Sequence, residues 1–162
     1  MPPVVGGPSQ PEETTPVTTV ARPNATGVPG YAETMPCEPE SARRARRLVA
    51  ASLSTWRIDE LADAGTLIVS ELVSNAVRHT SCRLLRVATR RIADNRVWIE
   101  VTDTSRGLPE MGCGDSDREG GRGLLLVELM ADRWGYDLHG TGRRRWKTTW
   151  AELVVKTEVT RL

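Results

Sequence analysis

Residues Leu67 to Thr80, LIVSELVSNAVRHT, constrain the fold of this chain more than any other stretch. Ile68, Leu72 and Ala76 recur at helical spacing, as do Val69, Val73 and Val77, which predicts a helix with a wide apolar face. A face that wide has to be covered by other elements. Yet Glu71 and Asn75 sit four residues apart, one above the other on a single strip, and Arg78 and His79 continue that strip a turn later. A carboxylate and an amide are costly to bury without partners. The strip is therefore either a polar edge turned to solvent or part of a site, and the rest of the chain decides which.

The chain has 162 residues, enough for one domain with a real core. Its 22 basic and 21 acidic residues nearly cancel, so no overall field draws it to nucleic acid or to a membrane surface. Cys37, Cys82 and Cys113 are odd in number and lack metal-ligand spacing, which suits three plain thiols in a reducing cytoplasm. No apolar run approaches the ~20 residues of a membrane span, and the start of the chain lacks the pattern of a secretory signal.

Residues 1–39 are rich in Pro, Thr, Gly and Glu and have no period, so they are expected to form a disordered tail. The folded domain is expected over 40–156, with a short tail at 157–162. Glu38 to Trp56 reads as a first helix with Ser41 as its cap. Ala42, Ala45, Leu48, Val49 and Leu53 form its apolar face. Arg43, Arg44, Arg46 and Arg47 cluster near its start, as a solvated face or as a contact for an acidic partner or nucleic acid. Ile58 to Thr80 is the second helical region, interrupted locally by Gly65.

Leu84 to Arg91 and Arg96 to Asp103 alternate as strands, and Ala93-Asp94-Asn95 turns one into the other. Thr104 to Arg122 is a long glycine-bearing loop, of a length usually functional or disordered. It leads to a helix over Gly123 to Met130, and a glycine-rich approach to a helix offers backbone N–H groups to a phosphate. Trp134 to Leu138 and Arg145 to Val155 read as two last strands around Gly140 and Gly142. On the second of these, Trp146, Thr148 and Trp150 point one way, and Lys147, Thr149, Ala151 and Leu153 the other. The order helix, helix, strand, strand, loop, helix, strand, strand favours an α+β two-layer sandwich, a mainly antiparallel or mixed sheet packed under helices.

Four motifs in that order carry a resemblance: Glu71-x-x-x-Asn75, Asp103-x-x-x-Gly107 after a strand, Gly121-x-Gly123 opening a helix, and Thr148 on a late strand. Together they resemble the GHKL, or histidine kinase-like, ATPase superfamily of gyrases, Hsp-type chaperones, mismatch-repair ATPases and histidine kinases. Over about residues 40 to 155 the phrases SELVSNAVRH, GGRGLLLVE and TTWAEL are similar to its small single-domain branch, the anti-sigma-factor serine/threonine kinases and related actinobacterial regulators.

The resemblance implies a histidine kinase-like fold with ATP and Mg²⁺ as cofactors. Asn75 would hold Mg²⁺, and Glu71 would orient or deprotonate the attacking hydroxyl. Asp103 would accept from the adenine amino group, with Thr148 supporting that contact and Gly107 letting the chain pass the base. Gly121, Arg122, Gly123 and Leu124 would cradle phosphate through backbone N–H groups, His79 would touch phosphate or serve structure, and residues 104–122 would be a lid. Arg106, Arg118 and Arg122 would neutralise phosphate, meet a partner or stay solvated. Ser105 stands where the superfamily usually has glycine.

The partners implied are a sigma factor, an anti-anti-sigma-type protein and a second copy of the chain, with no direct contact to nucleic acid or membrane. Three functions follow from this: a protein serine/threonine kinase that is also an anti-sigma factor, a non-catalytic module whose nucleotide sets partner affinity, or a detached histidine-kinase catalytic domain.

Overall fold

A computed structural model describes residues 28–79, 83–103, 118–141 and 144–156, with backbone alone at 79, 118–123 and 144. The elements run β1 (Gly30–Pro36), α1 (Ser41–Thr55), a 3-10 turn (Asp59–Leu61), α2 (Ala62–His79), β2 (Leu84–Ala93), β3 (Arg96–Asp103), α3 (Arg118–Met130), β4 (Arg133–Thr141) and β5 (Arg144–Val154). The strands form one five-stranded sheet in the order β1-β2-β3-β5-β4. Every neighbouring pair is antiparallel. Helices cover one face, so the fold is α+β in two layers.

The core follows from the two periodicities. Val97, Ile99 and Val101 of β3 and Leu85 and Val87 of β2 point at the helices and are buried. Ile68, Val69, Leu72, Val73 and Ala76 of α2 and Ala45, Leu48, Val49 and Leu53 of α1 meet them. Gly65 is what lets α2 approach so closely. A Cβ there would stand 3.1 Å from Val49 Cγ1, 3.2 Å from Leu53 Cδ1 and 3.5 Å from Ile99 Cδ1. The glycine that weakens the helical pattern is thus the contact point of two helices and the sheet.

Three expectations change. The disordered reading of residues 1–39 fails at its end, where residues 30–36 form β1; residues 1–27 lie outside the described residues. Only Tyr31 and Met35 of β1 supply apolar inward side chains, Met35 being 1% exposed. The register with β2 and the Tyr31–Trp56 ring contact at 5.7 Å do the rest. Ser41 does not cap α1: it is the first helical residue, and its hydroxyl donates to Pro36 O at 2.5 Å. Finally, α3 starts at Arg118 rather than at Gly123. Arg118 and Glu119 are good helix formers, and the helix runs back through the glycines to them.

Among the described residues the other face of the sheet carries no helix. Trp98 of β3 and Trp150 of β5 stack across the strands at 4.2 Å and 16°. Arg90 caps the stack over Trp98 at 5.2 Å, and Arg133 caps it over Trp150 at 5.8 Å. Glu100 takes Arg90 at 3.1 Å and Arg86 at 3.7 Å, while Glu152 takes Arg96 at 3.2 Å and Arg133 at 3.7 Å. This ladder of indoles and ion pairs closes a surface that a third layer covers in other architectures. Among the described residues no helix is long and apolar enough to cross a membrane.

Candidate functional site

The site is organised by α2. Its apolar stripe packs in the core with the sheet and α1, and on the Glu71–Asn75 strip Asn75 is buried and Glu71 half-buried. Asn75 is only 8% exposed, and its Oδ1 is buried with no hydrogen-bond partner. A buried amide oxygen without a donor is costly in a folded protein. Glu71, one turn earlier, is half-buried, Arg78 is exposed, and His79 closes the helix.

The second wall is the end of β3. Asp103 is 3% exposed at the point where the chain leaves the sheet, on the helix-facing side with Val101 and Ile99. It stands in register with Lys147 of β5, as Thr102 does with Thr148. The Thr102 and Thr148 hydroxyls are 2.9 Å apart. Alternation therefore puts Thr148 on the Trp98–Trp150 side of the sheet, with Asp103, Lys147 and Thr149 on the helix side. Thr148 reaches Asp103's neighbourhood through Thr102, one position back along β3, and not as the residue facing Asp103.

The third wall is α3. Gly121, Arg122 and Gly123 lie in its backbone, inside the span that begins at Arg118. Gly121 to Leu124, expected to open the helix, therefore fall inside it. Leu124 itself is a core side chain at 1% exposure. Ser105, Arg106 and Gly107, and the segment expected as a lid up to residue 117, lie outside the described residues, as do the side chains of His79, Arg118 and Arg122.

Lys147 is the one charged member of the inward set Lys147, Thr149, Ala151 and Leu153 of β5. It is 1% exposed, the largest of the fully buried side chains among the described residues. A cavity of about 460 Å³ lies elsewhere, between β1 and α1, lined by Tyr31, Glu33, Arg44, Arg47, Leu48 and Ser52 among others. None of the candidate residues lines it. Of the arginine run, Arg44 pairs with Glu33, Nε to Oε1 at 3.0 Å, and Arg46 donates to Ser70 Oγ at 3.0 Å.

The arrangement suits a nucleotide and its metal. Mg²⁺ takes oxygen ligands and usually keeps only one or two from protein, the others coming from phosphate and water. The orphaned Asn75 Oδ1 is such an oxygen. Among the described residues no three His, Cys, Asp or Glu side chains converge on a metal position. The resemblance would give the strand-end carboxylate of Asp103 to a base and the start of α3 to phosphate.

The sequence profile of the histidine kinase-like ATPase domain matches residues 35–146. That span is well over half of the chain, and the chain belongs to this family. Membership implies ATP as the nucleotide, with Mg²⁺ its usual companion. The match covers α2, β3 and α3, the elements that carry Asn75, Asp103 and the glycines.

Proposed function

We propose that this protein is a cytoplasmic anti-sigma factor and ATP-dependent serine/threonine kinase of the small single-domain branch, acting on an anti-anti-sigma-type partner. The observation that carries the reading is Glu71 one helical turn from the orphaned Asn75 oxygen. A carboxylate there lies beside the phosphate that Asn75 and its metal would hold, within reach of an incoming hydroxyl. The partner's seryl or threonyl oxygen attacks the γ-phosphorus, and its proton passes to Glu71. The bond from the γ-phosphorus to the bridging oxygen breaks, and ADP leaves. Bound Mg²⁺, held by Asn75, would neutralise the phosphate oxygens, and Asp103 would hold the base and so set the register of the phosphates against Glu71.

Ser105 in place of the usual glycine supports a second reading, a nucleotide-gated binding module that transfers no phosphate. The two part on one experiment. The protein and Glu71→Ala are each incubated with γ-labelled Mg-ATP and an anti-anti-sigma-type protein, with sigma-factor capture measured in parallel. Label on the partner with wild type, lost in Glu71→Ala, supports the kinase. Unlabelled partner with sigma capture intact in both supports the gated module. A second copy of the chain is a further proposed partner, read from the mass of the complex in the same assay.

A further inference from the structure

We propose that the groove between β1 and α1 takes an extended peptide from a partner protein, added beside β1 as a further strand, with an acidic and an apolar side chain two positions apart. This surface is separate from the nucleotide residues, and the inference stands apart from that reading. Its first support is the edge itself. Among the described residues β1 ends the sheet, with β2 as its one neighbour. The N–H of Arg91 donates to Pro29 O and that of Cys37 to Arg83 O, each at 2.9 Å. With the β1–β2 register these bonds fix the alternation: Tyr31, Glu33 and Met35 bond to β2, while Gly30, Ala32 and Thr34 turn N–H and C=O outward. Pro36 closes that outward row, since it has no N–H and its carbonyl takes the Ser41 hydroxyl.

The second support is the cavity of about 460 Å³, which Tyr31 and Glu33 line from this edge strand. Its opposite wall includes Arg47, Ala51 and Thr55 of α1, four residues apart and all exposed. Steps of four along a helix cover about 6 Å, and steps of two along a strand about 6.6 Å. Alternate side chains of an added strand therefore keep pace with that row. The third support is charge. Arg44 is engaged by Glu33, whereas Arg47 has no hydrogen-bond or ion-pair partner among the described residues. The Glu33 end of the groove is thus left positive and suits an acidic side chain. Toward Tyr31, the small Ala51 beside Leu48 leaves room for an apolar one. Backbone bonds to β1 would give affinity and these two positions specificity, as strand addition does elsewhere. A second copy of the chain fits less well, because it brings its own Arg44 and Arg47 to the same groove.

The test uses the full chain and fluorescein-labelled threonine heptapeptides. Each carries Leu, Val or Phe at one position and Asp or Glu two positions away, in either order. Anisotropy reports binding to wild type, Arg47→Glu and Ala32→Pro, and melting curves report folding. Wild type is expected to bind at least one peptide with Kd below about 1 mM. The same peptide with Lys in place of the acid should bind about threefold or more weakly, and the difference should shrink at high salt. Arg47→Glu reverses that preference. Ala32→Pro removes an outward donor at an edge that tolerates proline, and abolishes binding. N-methylation of one alternate set of peptide residues abolishes binding and of the other set spares it, a readout that stands even if Ala32→Pro fails to fold. No peptide bound by wild type, a preference indifferent to Arg47→Glu, or an equal response to both N-methylated sets overturns the proposal. A wild-type dimer that Ala32→Pro dissociates, with no peptide bound, also overturns it and assigns the edge to a second copy.

Discussion

Inside the core, polar side chains are satisfied in short relays that single substitutions expose. Thr89 Oγ1 donates to Ser52 Oγ at 2.8 Å, and Ser52 Oγ donates to Leu48 O at 2.7 Å. Both residues are buried, at 0% and 2% exposure. Ser52→Ala strands the Thr89 hydroxyl and is expected to cost about 1 to 3 kcal/mol in urea denaturation. Ser52→Ala with Thr89→Val removes both partners and should cost less than the single and Thr89→Val summed. Strict additivity would show that the relay carries no coupling. Arg57 is a different residue-scale case. It follows α1 at φ 58°, while its N–H donates to Ser54 O and that of Ile58 to Leu53 O. These bonds close the helix in a conformation glycine adopts without steric cost. Arg57→Gly is expected to raise unfolding free energy by about 0.5 to 1 kcal/mol, and a drop in the urea midpoint would contradict this.

Among the elements, β4 and β5 are joined by close approach as well as by hydrogen bonds. A Cβ on Gly135 would lie 2.8 Å from Cζ2 of Trp150. That ring has little room to retreat, because Trp98 stacks on it at 4.2 Å. Gly135→Ala is expected to cost roughly 1 to 3 kcal/mol, as overpacking does, and to change the near-ultraviolet circular dichroism of the paired indoles. In a Trp150→Leu background the same change should cost far less. The elements also show what could be read in advance. Val97, Ile99 and Val101 alternate clearly, and β3 was legible to its last residue. In β1, Glu33, Thr34 and the flanking prolines mask two inward side chains, and only the pairing with β2 reveals the strand. The placement of Glu71 and Asn75 on one helix was readable because helical spacing is local. The pairing of Asp103 with Lys147 depends on the register of strands far apart in the chain, which no local period encodes.

At the scale of the molecule, the sheet divides two tasks. Its outer face is closed by indoles and ion pairs, and its helix side buries the polar side chains of Asn75, Asp103 and Lys147. Asn75 is where the two tasks conflict, since its buried Oδ1 has no protein partner. A group kept for a ligand adds little to the empty protein and much to the loaded one. Mg-ATP at a hundred times its dissociation constant should stabilise wild type by about 2.7 kcal/mol, because it binds only the native state. For a chain of 162 residues that corresponds to a rise in Tm of roughly 5 to 10 °C. Asn75→Ala should leave the Tm of the empty protein within about 1 kcal/mol equivalent of wild type and abolish most of the rise with Mg-ATP. With magnesium chelated, wild type and variant should respond alike to ATP, since the amide oxygen then has no metal to hold. A large loss of stability in the empty variant would instead mean that Asn75 serves the core, and the metal role would pass from it.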